Sequence, residues 1–201
     1  MKKLCVLILL VICLPLAGQP VNRTQILHDN IKTLQVKVDD NPVCLPVIAL
    51  NGSETLQISF DEMSHNIHSY NYDVKHCNAD WSLSALSTTE YIDGFTTGKI
   101  DDYSLSVNTT FLYTHYRIAL PNNEMKLKIS GNYVMNIYED NQQDDPIAKV
   151  CFSVVESRVQ IDAAVRGNTD TELSGRFQQL DFDLLFNDYQ IRDAQSEIKV
   201  V

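Results

Sequence analysis

His65 and His68 lie three residues apart, with His76, Cys77 and Asp80 downstream, and by residue type these are the side chains of the chain best suited to hold a metal. The spacing argues against it. Positions three apart on a strand face opposite sides, and a structural zinc needs four ligands held close together. Asp61-Glu62-Met63-Ser64-His65-Asn66 reads as a loop, so solvent-exposed loop histidines are the expected outcome. For nucleophilic catalysis His115 could pair with a serine and Asp93, but no Gly-x-Ser-x-Gly, no Ser-x-x-Lys and no cysteine in a protease context is present. Its neighbours Tyr116 and Ile118 suggest a strand residue that bonds locally. The seven glycines form no phosphate-cradling arrangement. Asp101-Asp102 and Asp144-Asp145 read as solvated turns, with weak calcium binding as the second reading. Asn78, Asp80 and Trp81 have a structural use: Asn and Asp side chains bond backbone two residues on and fix a turn, and a tryptophan anchors that turn on the core.

The elements that would carry these residues alternate in hydropathy. Leu34, Val36 and Val38, then Leu56, Ile58 and Phe60, then Tyr70, Tyr72 and Val74 repeat at period two, followed by Leu105 and Val107, and by Tyr116, Ile118 and Leu120. Val134, Ile137 and Tyr138 and then Val150, Phe152 and Val154 continue the series, with turn chemistry at Asn51-Gly52, Pro121-Asn122-Asn123 and Asp144-Asp145-Pro146. Period two with frequent turns predicts an all-β chain whose first domain is an antiparallel β-sandwich. The one stretch with helical character is Trp81 to Leu86. Residues 19–156 hold enough strands for a closed sandwich that needs no covalent staple. Beyond Glu156 a second β pattern opens with Val159 to Val165, a Gly167-Asn168 turn, Leu180-Phe182-Leu184 and finally Ile198 to Val201. Three strands do not close a second sandwich, and an apolar strand at the chain's end would be an unblunted edge. The expectation is therefore a truncated second β domain over residues 157–201.

Lys2 and Lys3, the apolar run Leu4–Leu16 and the small residues Ala17 and Gly18 match the three regions of a secretory signal, so residues 1–18 are expected to be removed. The run is shorter than the ~20 residues that span a bilayer. Cys13 lies inside the run and Gln19 follows Gly18, which argues against a lipoprotein. Without Lys2 and Lys3 the formal charge moves from -10 to -12. An exported chain this acidic is not suited to phosphate neutralisation on nucleic acid or to anionic lipid surfaces. Cys44, Cys77 and Cys151 remain, an odd number at wide spacing. A disulfide framework is not indicated, although export permits one bond, and Cys77 and Cys151 read as small buried hydrophobes.

Secondary structure does not account for the order of several short motifs. Tyr72-Asp73-Val74-Lys75-His76-Cys77-Asn78-Ala79-Asp80-Trp81, Glu90-Tyr91-Ile92-Asp93-Gly94-Phe95, Ile100-Asp101-Asp102-Tyr103, Tyr113-Thr114-His115-Tyr116, Pro121-Asn122 and Gly131-Asn132-Tyr133 resemble, in order and spacing, the type IX secretion system plug protein family. Leu180-Asp181-Phe182-Asp183 and Glu197 to Val201 look like the start of that family's second domain.

The resemblance implies a non-enzymatic periplasmic protein, without cofactor or metal, whose first domain is immunoglobulin-like. It implies a role in capping the inner mouth of a giant outer-membrane translocon barrel of the SprA type. Family members are about twice as long as this chain. The motif residues His76, Asn78, Ala79, Asp80, Trp81, Tyr91, Asp93, Gly94, Thr114, His115, Tyr116, Pro121, Gly131 and Tyr133 are expected to be structural, and no partner-contacting residue is assigned. Two rivals make distinct demands. A periplasmic or cell-surface β-sandwich binding module, for carbohydrate or protein, would in the carbohydrate case expose aromatics such as Tyr70, Tyr72 and Trp81, whereas a hydrolase with a site assembled across loops would use His76 or His115.

Overall fold

The protein is described by a computed structural model over residues 22–167, 169–171, 176–186 and 189–198. The expected signal segment, and the apolar end from residue 199 on, lie outside these residues. In chain order the strands are Gln25–Ile26 (β1), Ile31–Val38 (β2), Val47–Ala49 (β3), Leu56–Glu62 (β4) and Tyr70–Cys77 (β5). A short helix, Thr88–Tyr91 (α1), precedes Ile92–Gly94 (β6), Thr97–Lys99 (β7), Asp102–Leu105 (β8), Thr114–Leu120 (β9) and Met125–Leu127 (β10). Gly131–Glu139 (β11), Pro146–Val155 (β12), Val159–Arg166 (β13), Gln179–Phe186 (β14) and the helical turn Ala194–Glu197 (α2) complete the described order.

Two sheets face each other. One is ordered β1-β12-β11-β5-β7, with β3 pairing parallel to the end of β12, and the other is ordered β2-β4-β9-β8. The chain is thus an all-β sandwich, as the period-two pattern requires. β4 shows why: LQISFDE alternates buried and half-buried along its whole length, putting Leu56, Ile58 and Phe60 inside. β11 and β12 are buried on both faces over much of their length, and there the alternation disappears. β2 carries a bulge at Thr33, with φ 54°, where its register to β4 shifts.

The core is aromatic where the sheets meet. Phe60 stacks on Tyr116 at 5.2 Å, and Tyr70 meets both edge-on at 5.5 and 5.0 Å. Tyr133 stacks on Phe152 at 5.5 Å. Edge-on and offset contacts of this kind contribute about 0.5–1.5 kcal/mol beyond area burial, which by itself gives about 1.5–3 kcal/mol for a fully buried Phe.

Four expectations are corrected. The helical turn is not at Trp81–Leu86 but at Thr88–Tyr91, because Ser87 and Glu90 form a reciprocal capping box there, whereas Trp81 has φ 64° and cannot start a helix. Asp61 and Glu62 belong to the end of β4, so the loop starts at Met63. Leu105 and Val107 are exposed rather than inward, since β8 is an edge strand exposed along its length and Val107 lies beyond its end, in the loop to β9. Asp102 is no free turn residue; it begins β8 and is held by Arg117.

Beyond Glu156, β13 and β14 form an antiparallel hairpin paired only with itself among the described residues. Ile161, Val165, Leu180 and Phe182 are exposed on it. Ala194–Glu197 is helical, so of the sequence's third strand there only Ile198 is described, and it is not in a strand.

Replacing Phe60 with Ala should cost about 3–5 kcal/mol by chemical denaturation, whereas Val43→Ala, at a side chain 88% exposed, should stay within about 0.5 kcal/mol. Burial, with Glu62 close by, pushes the Tyr116 hydroxyl up to about 12, and burial also raises Tyr70 and Tyr133. The native state keeps these phenol protons above about pH 10, where unfolded tyrosine loses them, so unfolding releases protons. Stability should therefore fall as pH rises from about 10 toward 12, and a Tyr116→Phe variant should show a shallower fall in denaturation midpoint.

Candidate functional site

The motif residues do not converge on one centre. The structure divides them between the two ends of the sandwich. β4 ends, β9 begins and β5 begins at one end; there the Thr114-His115-Tyr116 motif meets the 63–69 loop. Glu62 is 1% exposed, and His68 Nδ1 lies 2.5 Å from its Oε1. The single proton of the Tyr116 hydroxyl is shared between Glu62 Oε2 at 3.4 Å and the His68 carbonyl at 3.1 Å, while the His68 amide donates to that hydroxyl at 2.9 Å. A carboxylate buried this deeply is tolerable only when its oxygens are satisfied, and here the His68 ring and the Tyr116 hydroxyl reach one oxygen each. Thr114, fully buried, donates from Oγ1 to the Ser64 carbonyl at 2.8 Å.

On the outer face of the same sheet, His115 Nδ1 sits 2.6 Å from Asp61 Oδ1. Arg117 donates twice to Asp102, at 3.0 and 2.7 Å. His115, Arg117 and Asp102 border a groove of about 460 Å³ that Lys37, Gln57 and Ser59 also line. The guanidinium of Arg117 holds the Asp102 carboxyl below the usual range. The carboxylate partner of His115 is Asp61 on the adjacent strand, not Asp93, which stands on β6 at the other end. The serine–His115–Asp93 grouping is not formed.

The other end gathers His76, Asn78, Ala79, Asp80, Trp81, Tyr91, Gly94, Pro121, Gly131 and Tyr133. Asp80 Oδ1 accepts from the Ser82 amide two residues on, at 3.0 Å, and Asn78 bonds Ser82 and Leu83 through its side chain. The turn places Trp81 half-buried over Val134, Cys77 and Cys151. The Asn22 side chain donates to the Trp81 carbonyl at 2.7 Å. The His76 ring meets Tyr133 edge-on at 5.1 Å and Tyr91 at 5.8 Å. Gly131 has φ 143°, and a Cβ there would collide with the His76 ring. Gly94, at φ 104°, faces the Glu124 carbonyl just as closely. Both glycines are therefore required by the backbone and by close approach. The cis bond before Pro121 and the Asn122 side chain, which accepts from the Glu124 and Met125 amides, shape the β9–β10 turn.

Cys77 and Cys151 are buried, and Cys44 is exposed. Burial pushes the Cys151 thiol up to about 11 and raises Cys77 as well. The two buried cysteines flank β11 from opposite sides, two strands apart. Cys77 lies opposite Asn132 and Cys151 opposite Val134, so two strand spacings and a two-residue offset put their Cα atoms about 11–12 Å apart, beyond the ~7 Å a disulfide can bridge. His65 is an exposed loop residue, with its ring bonded to the Ser106 carbonyl at 3.2 Å, but His68 is drawn into the Glu62 cluster, which spacing alone could not show. Tyr70 and Tyr72 are buried at 1% and 3%, so the two tyrosines named for a sugar-binding face belong to the core. Among the described residues no group of three metal-ligating side chains is close enough to hold an ion, and no helix is long and apolar enough to cross a membrane.

The arrangement defines a β-sandwich whose specific residues fasten loops and turns at both ends. Residues 31–156 match the family described as type 9 secretion system plug protein 1st domain, and the chain belongs to that family. A hypothetical protein from Parabacteroides merdae ATCC 43184, with a crystal structure at 2.30 Å resolution, is similar at 42% identity and a TM-score of 0.82 over 87% of this chain. The chain spans only 44% of that protein's length. Pseudomonas fluorescens alkylpurine DNA glycosylase AlkC bound to DNA containing an abasic site analog aligns at 12% identity and a TM-score of 0.33, over 63% of this chain and 30% of AlkC, which is too low to indicate a shared fold. Among curated proteins none matches.

Gly131→Ala should destabilise by about 1–3 kcal/mol in urea unfolding. The loss should shrink when His76→Ala is combined with it, because the collision partner is then gone. Thiol titration of the native protein near neutral pH should label Cys44 alone among the described cysteines, with Cys77 and Cys151 reacting only on unfolding.

Proposed function

We propose that this chain is a non-enzymatic plug of the type IX secretion system, capping the periplasmic mouth of a giant outer-membrane translocon barrel of the SprA type while no substrate passes. The observation that carries this reading is the family match over residues 31–156, which ties the chain to type IX secretion. Its physical character suits a seal. The described sandwich is rigid, its motif residues serve as fasteners, and its acidic composition favours solubility in the periplasm. Export by removal of residues 1–18 belongs to the same reading, as does a division at residue 156 between the immunoglobulin-like plug domain (19–156) and the beginning of a second β domain (157–201). A releasable cap of this kind requires a contact near 1,600 Å² in total with polar character at its rim.

Deleting the gene in its native host should raise entry of a large, normally excluded dye, and deleting the barrel as well should reverse the effect. Unchanged dye entry in the single deletion would sink the capping role.

A further inference from the structure

Two abutting loops at the Glu62 end of the sandwich share a property found in no other described loop pair. The 63–69 loop joins β4 to β5, and the 106–113 loop joins β8 to β9. They expose Met63, Ile67, Val107, Phe111 and Leu112 at 41%, 52%, 77%, 72% and 54%. Neither loop contains a Lys, Arg, Asp or Glu, in a chain where 21% of residues are charged. The opposite end also exposes apolar side chains, Val43, Leu45 and Phe95 among them, but there Asp39, Asp40, Asp80 and Asp93 are interspersed with them. Apolar exposure is ordinary; apolar exposure without charge is not.

The border of this neutral tip is acidic. The β11–β12 turn lies at the same end, its Asp140 amide donating to the Ser69 carbonyl at 2.9 Å, and it exposes Asp140, Asp144 and Asp145. An apolar centre depleted of charge inside a polar border is the composition of a protein-binding patch.

The tip is also held in shape. Thr114 pins the Ser64 carbonyl, the His65 ring bonds the Ser106 carbonyl, and the Ser106 hydroxyl accepts from the Tyr113 amide at 2.9 Å. Thr109 Oγ1 donates to the Phe111 carbonyl at 2.7 Å. Loops ordered before encounter spare a complex the entropy of ordering them. The Thr-His-Tyr motif, which strand formation alone does not ask for, thereby acquires a role, since it fastens the base of this tip.

We infer that this end of the sandwich is the face presented to a protein partner whose surface offers an uncharged apolar socket bordered by cationic side chains. The inference rests on the proposed capping role, under which the socket lies on the periplasmic rim of the translocon barrel. An anionic lipid surface would be repelled by the acidic border. A second copy would set one acidic border against another, and five apolar side chains fall well short of the roughly 20–30 residues a side in a stable interface. The tip is thus an anchor within a larger contact.

The test places a photo-crosslinking amino acid at position 111, or at position 95 as the control from the opposite end, in the protein expressed in its native host. Position 111 should give adducts with a very large outer-membrane barrel, and position 95 should give none. Barrel adducts from position 95 alone, or equally from both, would overturn this face while sparing the capping role. Barrel adducts from neither would overturn both, and adducts from position 111 with lipid or with a second copy would overturn the partner assigned here. A Phe111→Ser, Leu112→Ser double variant should lower co-purification of the barrel at least tenfold with an unchanged thermal midpoint, because both side chains are exposed. Undiminished co-purification would refute the inference.

Discussion

The carboxylate of Glu62 is the constraint around which one half of this structure is arranged. At 1% exposure it must be partnered, and the partners come from two places: His68 in the loop that follows it and Tyr116 on the adjacent strand, with Tyr70 of the other sheet packed edge-on against Tyr116. The same tyrosines form the stacked and edge-on cluster with Phe60. Removing the carboxylate would leave those donors facing a dry core, and removing a donor would leave a buried charge under-satisfied. Polar satisfaction and aromatic packing are thus locked together at one point, which ties the two sheets and the 63–69 loop into a single unit.

The far end is organised by close approach instead of charge. Gly131 admits the His76 ring, which packs against Tyr133 and Tyr91, and Tyr133 in turn stacks on Phe152. The Asn78–Trp81 turn closes over Cys77 and Cys151 and covers the outer face of the six-stranded sheet. Each motif there solves a local steric or capping problem, which is why so many chemically suggestive residues sit in one stretch without assembling a reactive centre. The division of labour suits a member of a secretion plug family: strength lies in the scaffold, and recognition is left to surfaces that the scaffold holds still.

Much of the architecture was legible. Leu56, Ile58 and Phe60, or Tyr116, Ile118 and Leu120, alternate because one face of each strand meets the core and the other meets water. The Asn78–Trp81 turn was legible because Asp80 acts on backbone only two residues away. Leu105 misled because β8 lies at a sheet edge, where an apolar residue need not face inward, and Val107 because the strand has already ended. The helical turn was displaced by six residues because the decisive signal, Ser87 with Glu90, is a capping box and not a hydrophobic period.

By itself, then, the amino-acid order determined the class of fold, the family and the Asn78–Trp81 turn, all of which follow from contacts short in sequence or from motif order. Only the tertiary structure decided that Asp61 and not Asp93 partners His115, that Glu62 is buried against His68 and two tyrosines, and that the loops at 63–69 and 106–113 share one uncharged tip. The His115 and Tyr116 pairings depend on strand register between segments about fifty residues apart. Register is a property of two sheets packed on a common core, and no single segment of the chain carries it.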